Sequence, residues 1–515
     1  MSASQMQVFP GAYRDSLLLL SATRAMEDGT GVDWASAAMA TPAAVDDLAD
    51  RGFPPDDLAG ADANALVLAV RAADDGTAGQ ALERGRRALF TAAGAPREEP
   101  GQPKPRTVAE AAARLPDANV AVVSVPGHYA AIAAHSALSA GLHVLLFSDN
   151  VPLADEVELK RRASALGLLV MGPGAGTAVL AGVGLGFANA VTRGPVGVVA
   201  AAGTGAQEVM SLLDHWDIGV SQVIGVGGRD LSAGVGGLMA RDAVRYLDAD
   251  PATEVILLVS KPPDPGVAAA VISVSRTTPV VAACLGMSAD DGMIAGAPLA
   301  ATLEQGALRA AGILGRKPPE AKGLAEVAEQ AAKGISAKRT AVRGFYTGGT
   351  LCYEAQVVLG RALGPVYSNI PLRKDLALPA PAGGGPQHIC LDLGEEEYTK
   401  GRPHPMIDPA ARREIMQDQA FGDDIAAVLL DVVIGYGSHP DPAGAIAGTC
   451  ADIAAAGTAV IAYVLGARAD PQGLDRQRDT LREAGAIVAA SGAEAARIAA
   501  AVAARNPALA TTGAW

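Results

Sequence analysis

One junction constrains this chain more than any other feature, because it occurs twice. "AAGTGAQEVM" runs from Ala201 to Met210, and "YTGGTLCYEA" runs from Tyr346 to Ala355. Each follows an apolar run that reads as a strand, Val196–Ala201 or Ala341–Phe345, and each opens a helical pattern. Such a junction is where α/β folds hold phosphates, because the first amides of the helix have no acceptor within it. Glu208 follows Thr204 by four residues, and Glu354 follows Thr350 at the same spacing, about one helical turn on.

The segments after each junction match in order. "GVGGRD" (Gly225–Asp230) comes next in the first copy and "LDLGEEEY" (Leu391–Tyr398) in the second. "LLVSKPPDP" then parallels "LLDVVIGYGSHPDP", and each copy ends on an apolar strand and glycine, "VVAACLG" or "VIAYVLG". The repeat and the alternation of strands with helices predict two doubly wound, flavodoxin-like domains facing each other. Upstream, "NVAVVSVPG", "LHVLLFS" and "LLVMGPG" read as strands of a further parallel α/β unit. The expected organisation is a small N-terminal α/β domain (1–92), a proline-rich linker (93–106) and a Rossmann domain (107–193). The two copies follow at 194–315 and 340–515, with a charged linker over 316–339.

Composition narrows the partners. The net charge of −14 and the lack of a basic cluster argue against nucleic acid or an anionic membrane. Ala118–Ser148 and Ala163–Thr192 lack charged residues, but glycines and prolines break both. They read as buried strands and helices rather than membrane spans, and a cytoplasmic location is expected. The four cysteines have no CxxC spacing, so no metal site is signalled.

The candidate phosphate site comprises Gly203, Thr204, Gly205 and Gln207 at one junction and Gly348, Gly349 and Thr350 at the other. Glu208 and Glu354 are placed to handle a proton beside a bound phosphate. Thr204 and Gln207 also have the spacing of a capping box. Gly227, Gly228 and Asp230 form a glycine loop before a helix, where Asp230 can hold a ribose, an amide or a metal-bound water. "KGRPHPMIDP" (Lys400–Pro409) and "GYGSHPDP" (Gly435–Pro442) are stiff loops that follow strands. Arg402 suits a carboxylate or phosphate, and His404 and His439 suit proton transfer. Asp408, Ser438 and Asp441 complete the candidate set in these loops.

At "GPGAGT" (Gly172–Thr177), "AAGTGAQE" and "GVGGRD" the chain resembles the alpha subunit of the succinyl-CoA synthetase superfamily. Residues 342–503 resemble the ligase domain of the beta subunit. "YTGGTLCYEAQ", "YSNIPL", "GRPHPMIDP" and "GYGSHPDP" are similar to the FdrA proteins within that superfamily. The resemblance implies a CoA-binding-like Rossmann domain at 107–193 and an alpha-like and a beta-like ligase domain fused in one chain. The superfamily's phosphorylated histidine has no counterpart in "GMSADDGMIAGAPLA" (Gly286–Ala300), and no ATP-grasp domain is present.

FdrA proteins have been linked to carbamoyl transfer in allantoin and oxamate breakdown. The main expectation is therefore a transferase subunit moving a carbamoyl group between carbamoyl phosphate and a small acceptor such as oxamate. An ADP-forming acyl-CoA synthetase without its own phosphohistidine is the first alternative, and a non-catalytic scaffold or sensor is the second. CoA or carbamoyl phosphate is the implied substrate, no resident cofactor is expected, and partner subunits or a homo-oligomer are implied.

Overall fold

The computed structural model describes residues 3–12, 14, 16–54, 58, 65–90, 105–288, 292–379, 387–399 and 403–511. The chain divides into two compact units, Met1–Lys104 and Pro105–Trp515. Arg402 and most of the 93–106 linker lie outside the described residues.

The first unit is a three-stranded sheet of β1 (Ala3–Phe9), β2 (Val32–Met39) and β3 (Leu66–Ala72), in the order β1-β3-β2. Both outer strands run antiparallel to β3, whose apolar run is almost wholly buried. On one face pack α1 (Ser16–Glu27) and α3 (Asp75–Phe90). α3 buries Ala78, Ala81, Leu82, Gly85 and Leu89, the spacing of one helical face. The other face is covered by Leu48, from α2 (Pro42–Asp50), together with Phe53 and Leu58.

The second unit holds three larger pieces. The first is a parallel sheet of β4 (Val120–Val123), β5 (His143–Leu146) and β6 (Val170–Met171). Its helices are α4 (Val108–Arg114), α5 (Gly127–Ser139) and α6 (Leu153–Leu166). A hairpin follows, β7 (Thr177–Leu180) and β8 (Val183–Gly186), which the sequence reading did not foresee in this glycine-rich stretch. It adds antiparallel to the edge of the next sheet, through β7 on β10.

That next sheet belongs to the first lobe. Its parallel strands are β9 (Arg193–Ala201), β10 (Val220–Gly225), β11 (Val255–Ser260) and β12 (Val280–Cys284). The order β12-β11-β9-β10 is doubly wound, with α7 (Gly203–His215), α8 (Leu238–Ala249) and α9 (Pro265–Ile272) between strands. A short ribbon, β13 (Met293–Ile294) with β14 (Ala297–Pro298), precedes α10 (Leu303–Ile313), and α11 (Leu324–Lys333) leads to the second lobe.

The second lobe repeats the winding. Its sheet is ordered β16-β17-β15-β18-β19-β20, all parallel. The strands are β15 (Ala341–Tyr346), β16 (Val366–Ser368), β17 (His388–Asp392), β18 (Ile425–Val433), β19 (Ala459–Leu465) and β20 (Ile487–Ala489). The helices are α12 (Gly349–Leu363), α13 (Glu396–Thr399), α14 (Ala410–Gln419), α15 (Pro442–Ala455), α16 (Leu474–Glu483) and α17 (Gly492–Ala504). In the first lobe β9 lies between β10 and β11, and in the second β15 lies between β17 and β18, so in each the winding reverses beside the glycine junction. That reversal opens a crevice at the carboxyl ends of the strands.

One apolar core crosses the seam between the lobes. It includes Val209 and Leu213 of α7, Leu351 and Val358 of α12, and Ala496 and Ala500 of α17. Alanines and valines dominate this core, with leucines such as Leu213 and Leu351 among them, and the small side chains let the helices approach closely. No helix among the described residues is long and apolar enough to cross a membrane.

Candidate anion site at the paired helix starts

The glycines of the duplicated motif form the first turn of each helix rather than a loop ahead of it: α7 begins at Gly203 and α12 at Gly349. The two starts pack against each other. A Cβ at Gly348 would lie 2.6 Å from Thr204 Cγ2, and one at Gly205 would lie 2.9 Å from Thr350 Cγ2. Only glycine permits this approach at Gly205 and Gly348. The N–H groups of Gly203, Thr204 and Gly205, and of Gly349, Thr350 and Leu351, have no intrahelical acceptor. No other acceptor meets them among the described residues. Two positive helix ends therefore face one region.

Other groups close a ring around that region. Asp392, at the end of β17, and Lys261, just past β11, both flank Gly349. A Cβ there would collide with the Asp392 carboxylate and lie 3.0 Å from Lys261 Nζ. From Gly394, a Cβ would lie 3.2 Å from Asp392 Oδ1 and 2.6 Å from His404 Nε2. His404 faces Phe187, with ring centroids 6.4 Å apart. The Phe187 carbonyl accepts from Thr177 Oγ1 at 2.8 Å, and Thr177 Oγ1 is 3.7 Å from a Cβ placed on Gly203.

The charges of the ring are tuned. Burial raises the Asp392 carboxyl to about 7 against the opposing charge of Lys261. Asn369 clamps the Asp392 backbone, accepting from its N–H and donating to its carbonyl, both at 2.9 Å. Lys261 makes no ion pair within 4.0 Å among the described residues and lies 5.7 Å from the Tyr353 ring centre. Burial lowers His404 to about 4, opposed by the nearby Asp149 carboxylate. Its Nδ1 accepts from the Met406 N–H at 3.2 Å, which leaves the proton of the neutral ring on Nε2. The ring thus offers amides, an ammonium and an imidazole N–H to an anion, with a half-ionised carboxyl beside them.

The second helix start is anchored from behind. Asp431 Oδ1 accepts from the N–H and hydroxyl of Thr347, Oδ2 accepts from the Gly348 N–H, and Arg412 pairs with Asp431 at 3.3 Å. Both Asp431 and Arg412 are almost wholly buried. Asp431, Asp392 and Lys261 are absent from the candidate set drawn from sequence.

The structure corrects several other expectations. Glu208 and Glu354 point away from the ring, into the seam. Glu208 Oε1 accepts from the Gly492 N–H, the first amide of α17, at 3.2 Å. Glu354 Oε1 accepts from the Leu303 N–H, the first amide of α10, at 2.6 Å. Each glutamate therefore plugs the last helix of the other lobe. Burial raises both carboxyls, Glu354 to about 8 and Glu208 well above the usual range, where Glu354 also opposes its ionisation. The second oxygen of Glu354 has no hydrogen-bond partner among the described residues, and Glu208 lies beside the buried Tyr463 hydroxyl.

The capping box does not form. Ala202 occupies the N-cap of α7, and Gln207 instead donates to Asn189 Oδ1 at 3.3 Å. Asp230 is fully buried and engaged: Oδ1 accepts from Lys160 Nζ at 2.8 Å, and both oxygens accept from the Met239 and Ala240 amides at the start of α8. Gly227 packs on Gly172 and Pro173, and a Cβ there would lie 2.7 Å from the Pro173 carbonyl oxygen. With Gly228 beside it, this loop joins the first parallel sheet to the first lobe and offers Asp230 to no ligand.

In the remaining loops, Asp441 accepts from Gln477 at 2.8 Å and Arg476 at 3.3 Å. Asp408 accepts from the Ala410 N–H at 3.0 Å as α14 starts. His439 Nδ1 accepts from the Asp441 N–H at 3.0 Å, and its own N–H donates to the Met406 carbonyl at 2.8 Å, tying the two loops together. Ser438 Oγ is buried without a partner among the described residues.

Comparisons with known proteins agree with this architecture. Residues 345–502 match the CoA-ligase family, and residues 1–105 match the family described as AllF, heavy metal-associated domain. The second description implies a metal, which in such sites is held by thiolate, thioether or imidazole. Residues 1–105 contain no cysteine and no histidine, the described methionines Met6, Met26 and Met39 pack into the apolar cores, and among the described residues no group of His, Cys, Asp and Glu suits a metal. The residues present do not fit a heavy metal.

Over 165 residues the chain is 31% identical to subunit alpha 1 of the ADP-forming succinate–CoA ligase of Archaeoglobus fulgidus, covering 31% of this chain and 55% of that one. The chain thus spans about half the length of that relative. Among solved structures, a dinucleotide-forming acetyl-coenzyme A synthetase of Ca. Korarchaeum cryptofilum overlaps 80% of this chain and 88% of its own, at 19% identity and a TM-score of 0.29. The uncharacterized protein YahF of Escherichia coli is 36% identical over 496 residues, which is 94% of this chain and 95% of that one. At that identity over nearly the whole of both chains, this chain belongs to the YahF family, in which a CoA-ligase region of the succinyl-CoA synthetase superfamily follows an AllF-type N-terminal domain.

Proposed function

We propose that the ring at the paired helix starts binds the phosphate of an acyl phosphate, in an acid–CoA ligase type of reaction. The observation that carries this is the meeting of the Gly203 and Gly349 helix starts beside Lys261. In the reaction the acyl C–O bond breaks, the CoA sulfur bonds to the acyl carbon, and inorganic phosphate leaves. The amides and Lys261 stabilise the departing phosphate, and His404 Nε2–H donates to it. Asp392, half-ionised near neutral pH, takes the thiol proton. The similarity to succinate–CoA ligase alpha subunits favours CoA as acceptor. In an ADP-forming cycle an ATP-binding partner subunit would make the acyl phosphate.

A second reading rests on the stretch between β12 and α10, which contains no histidine to carry a phosphoryl group. An enzyme without that relay suits a ready-made acyl phosphate such as carbamoyl phosphate, with its carbamoyl group passing to a small acceptor such as oxamate. Phosphate release from acetyl phosphate with CoA, and from carbamoyl phosphate with oxamate, separates the readings when candidate partner subunits are present. Release with the first pair supports the ligase reading, and release with the second supports carbamoyl transfer. No release from either pair contradicts both.

A further inference from the structure

A second polar cavity lies on the seam between the lobes. It measures about 140 Å³, and its walls include Thr302, Glu304 and Gln305 from the first lobe and Arg361 and Arg497 from the second. Arg361 is twelve residues beyond Gly349 along α12, about 18 Å at the helical rise. The cavity is therefore distinct from the ring at the helix starts.

Arg497 is 3% exposed. Its Nη1 donates to Glu304 Oε2 at 2.8 Å, and Glu304 Oε1 accepts from the Ser491 hydroxyl at 2.8 Å. Nε and Nη2 of the same guanidinium are buried and have no hydrogen-bond partner among the described residues. Those two nitrogens form one edge of the guanidinium plane, the fork that grips a carboxylate or phosphate by two parallel hydrogen bonds. A buried donor pair left unmade is unfavourable, and an oxyanion supplies what both lack. Glu354 is close enough for Arg497 to ease its ionisation, but burial holds its carboxyl up at about 8, so it is a poor anion at neutral pH. Arg361 adds an exposed cation with no ion pair among the described residues. The space is that of several waters at about 30 Å³ each, enough for one small oxyanion.

We propose that this cavity is a second oxyanion site, holding phosphate or a small carboxylate across the lobe seam with Arg497 as the fork and Arg361 as the outer cation. The test removes the ring first. The full-length Lys261→Met protein is titrated calorimetrically with inorganic phosphate in one arm and malonate in the other. Saturable binding of at least one anion is expected, and adding Arg361→Gln, an exposed change that leaves the core intact, weakens it about tenfold. The arm that binds identifies the source as a phosphate or a carboxylate. No saturable binding of either anion, or binding unchanged by Arg361→Gln, overturns the proposal.

Discussion

The two lobes begin with the same strand–glycine–helix junction and then diverge in charge. In the first lobe no carboxylate among the described residues accepts from the start of α7, and the neighbouring strand β11 ends at Ser260, followed by the cation Lys261. In the second lobe the start of α12 is clamped by Asp431, and β17 ends at Asp392. The repeat thus gives one cationic half and one acidic, anchored half, and the ring needs both. The glutamates show the same exchange: each lobe's first helix plugs the last helix of the other. Reciprocal contacts that neither copy makes alone join the two lobes.

The largest difference between the lobes is expected on removing the anchor on one side and the cation on the other. Asp431→Ala leaves Arg412 buried without its carboxylate and is expected to destabilise the protein by about 3–5 kcal/mol. Lys261→Met, on a half-buried and unpaired side chain, is expected to stay within about 0.5 kcal/mol. Chemical denaturation midpoints measure both. Equal losses would show that the halves do not divide anchoring from binding.

Next in size is the contact between the starts themselves. Gly348→Ala puts a Cβ against the Thr204 side chain and is expected to cost about 1–3 kcal/mol through overpacking. Gly228→Ala meets nothing within 4 Å and is expected to be near neutral in the same assay. A tolerated Gly348→Ala would mean that the two helices are free to part.

A smaller effect concerns pH. Glu354 is raised to about 8 in the folded protein, against a value near 4.3 for an unfolded chain. The folded state therefore binds the extra proton between those values. Its stabilising share is full below about 4.3 and is lost as pH climbs through about 8. Melting temperature is expected to fall as pH rises from 5 to 8, and Glu354→Gln, which mimics the protonated carboxyl, should flatten that slope. An unchanged slope would place the titration elsewhere, with Glu208 or Asp392 next in line.

Much of the plan was legible in the sequence. The repeat, the parallel strands and the helix starts follow from apolar runs broken by glycine at matching places. The spacing of Glu208 and Glu354 put them on one face of each helix, but nothing local says that this face meets the other lobe. Their role was therefore misread as proton transfer at the phosphate. Asp230 was misread for the same reason, since its partner Lys160 is seventy residues away. Lys261, Asp392 and Asp431 left a fainter signal. Lys261 and Asp392 are polar residues at the carboxyl ends of apolar strands, and Asp431 is the lone acid inside the buried run of β18.

In the function proposed above, the paired helix starts and Lys261 hold a phosphate. Calorimetric titration with inorganic phosphate tests it most directly in the Arg361→Gln protein, where the seam cavity is weakened. One saturable site is expected, and adding Lys261→Met should reduce its affinity tenfold or more, about 1.4 kcal/mol. Phosphate binding that is absent, or that survives the loss of Lys261 unchanged, would contradict the account.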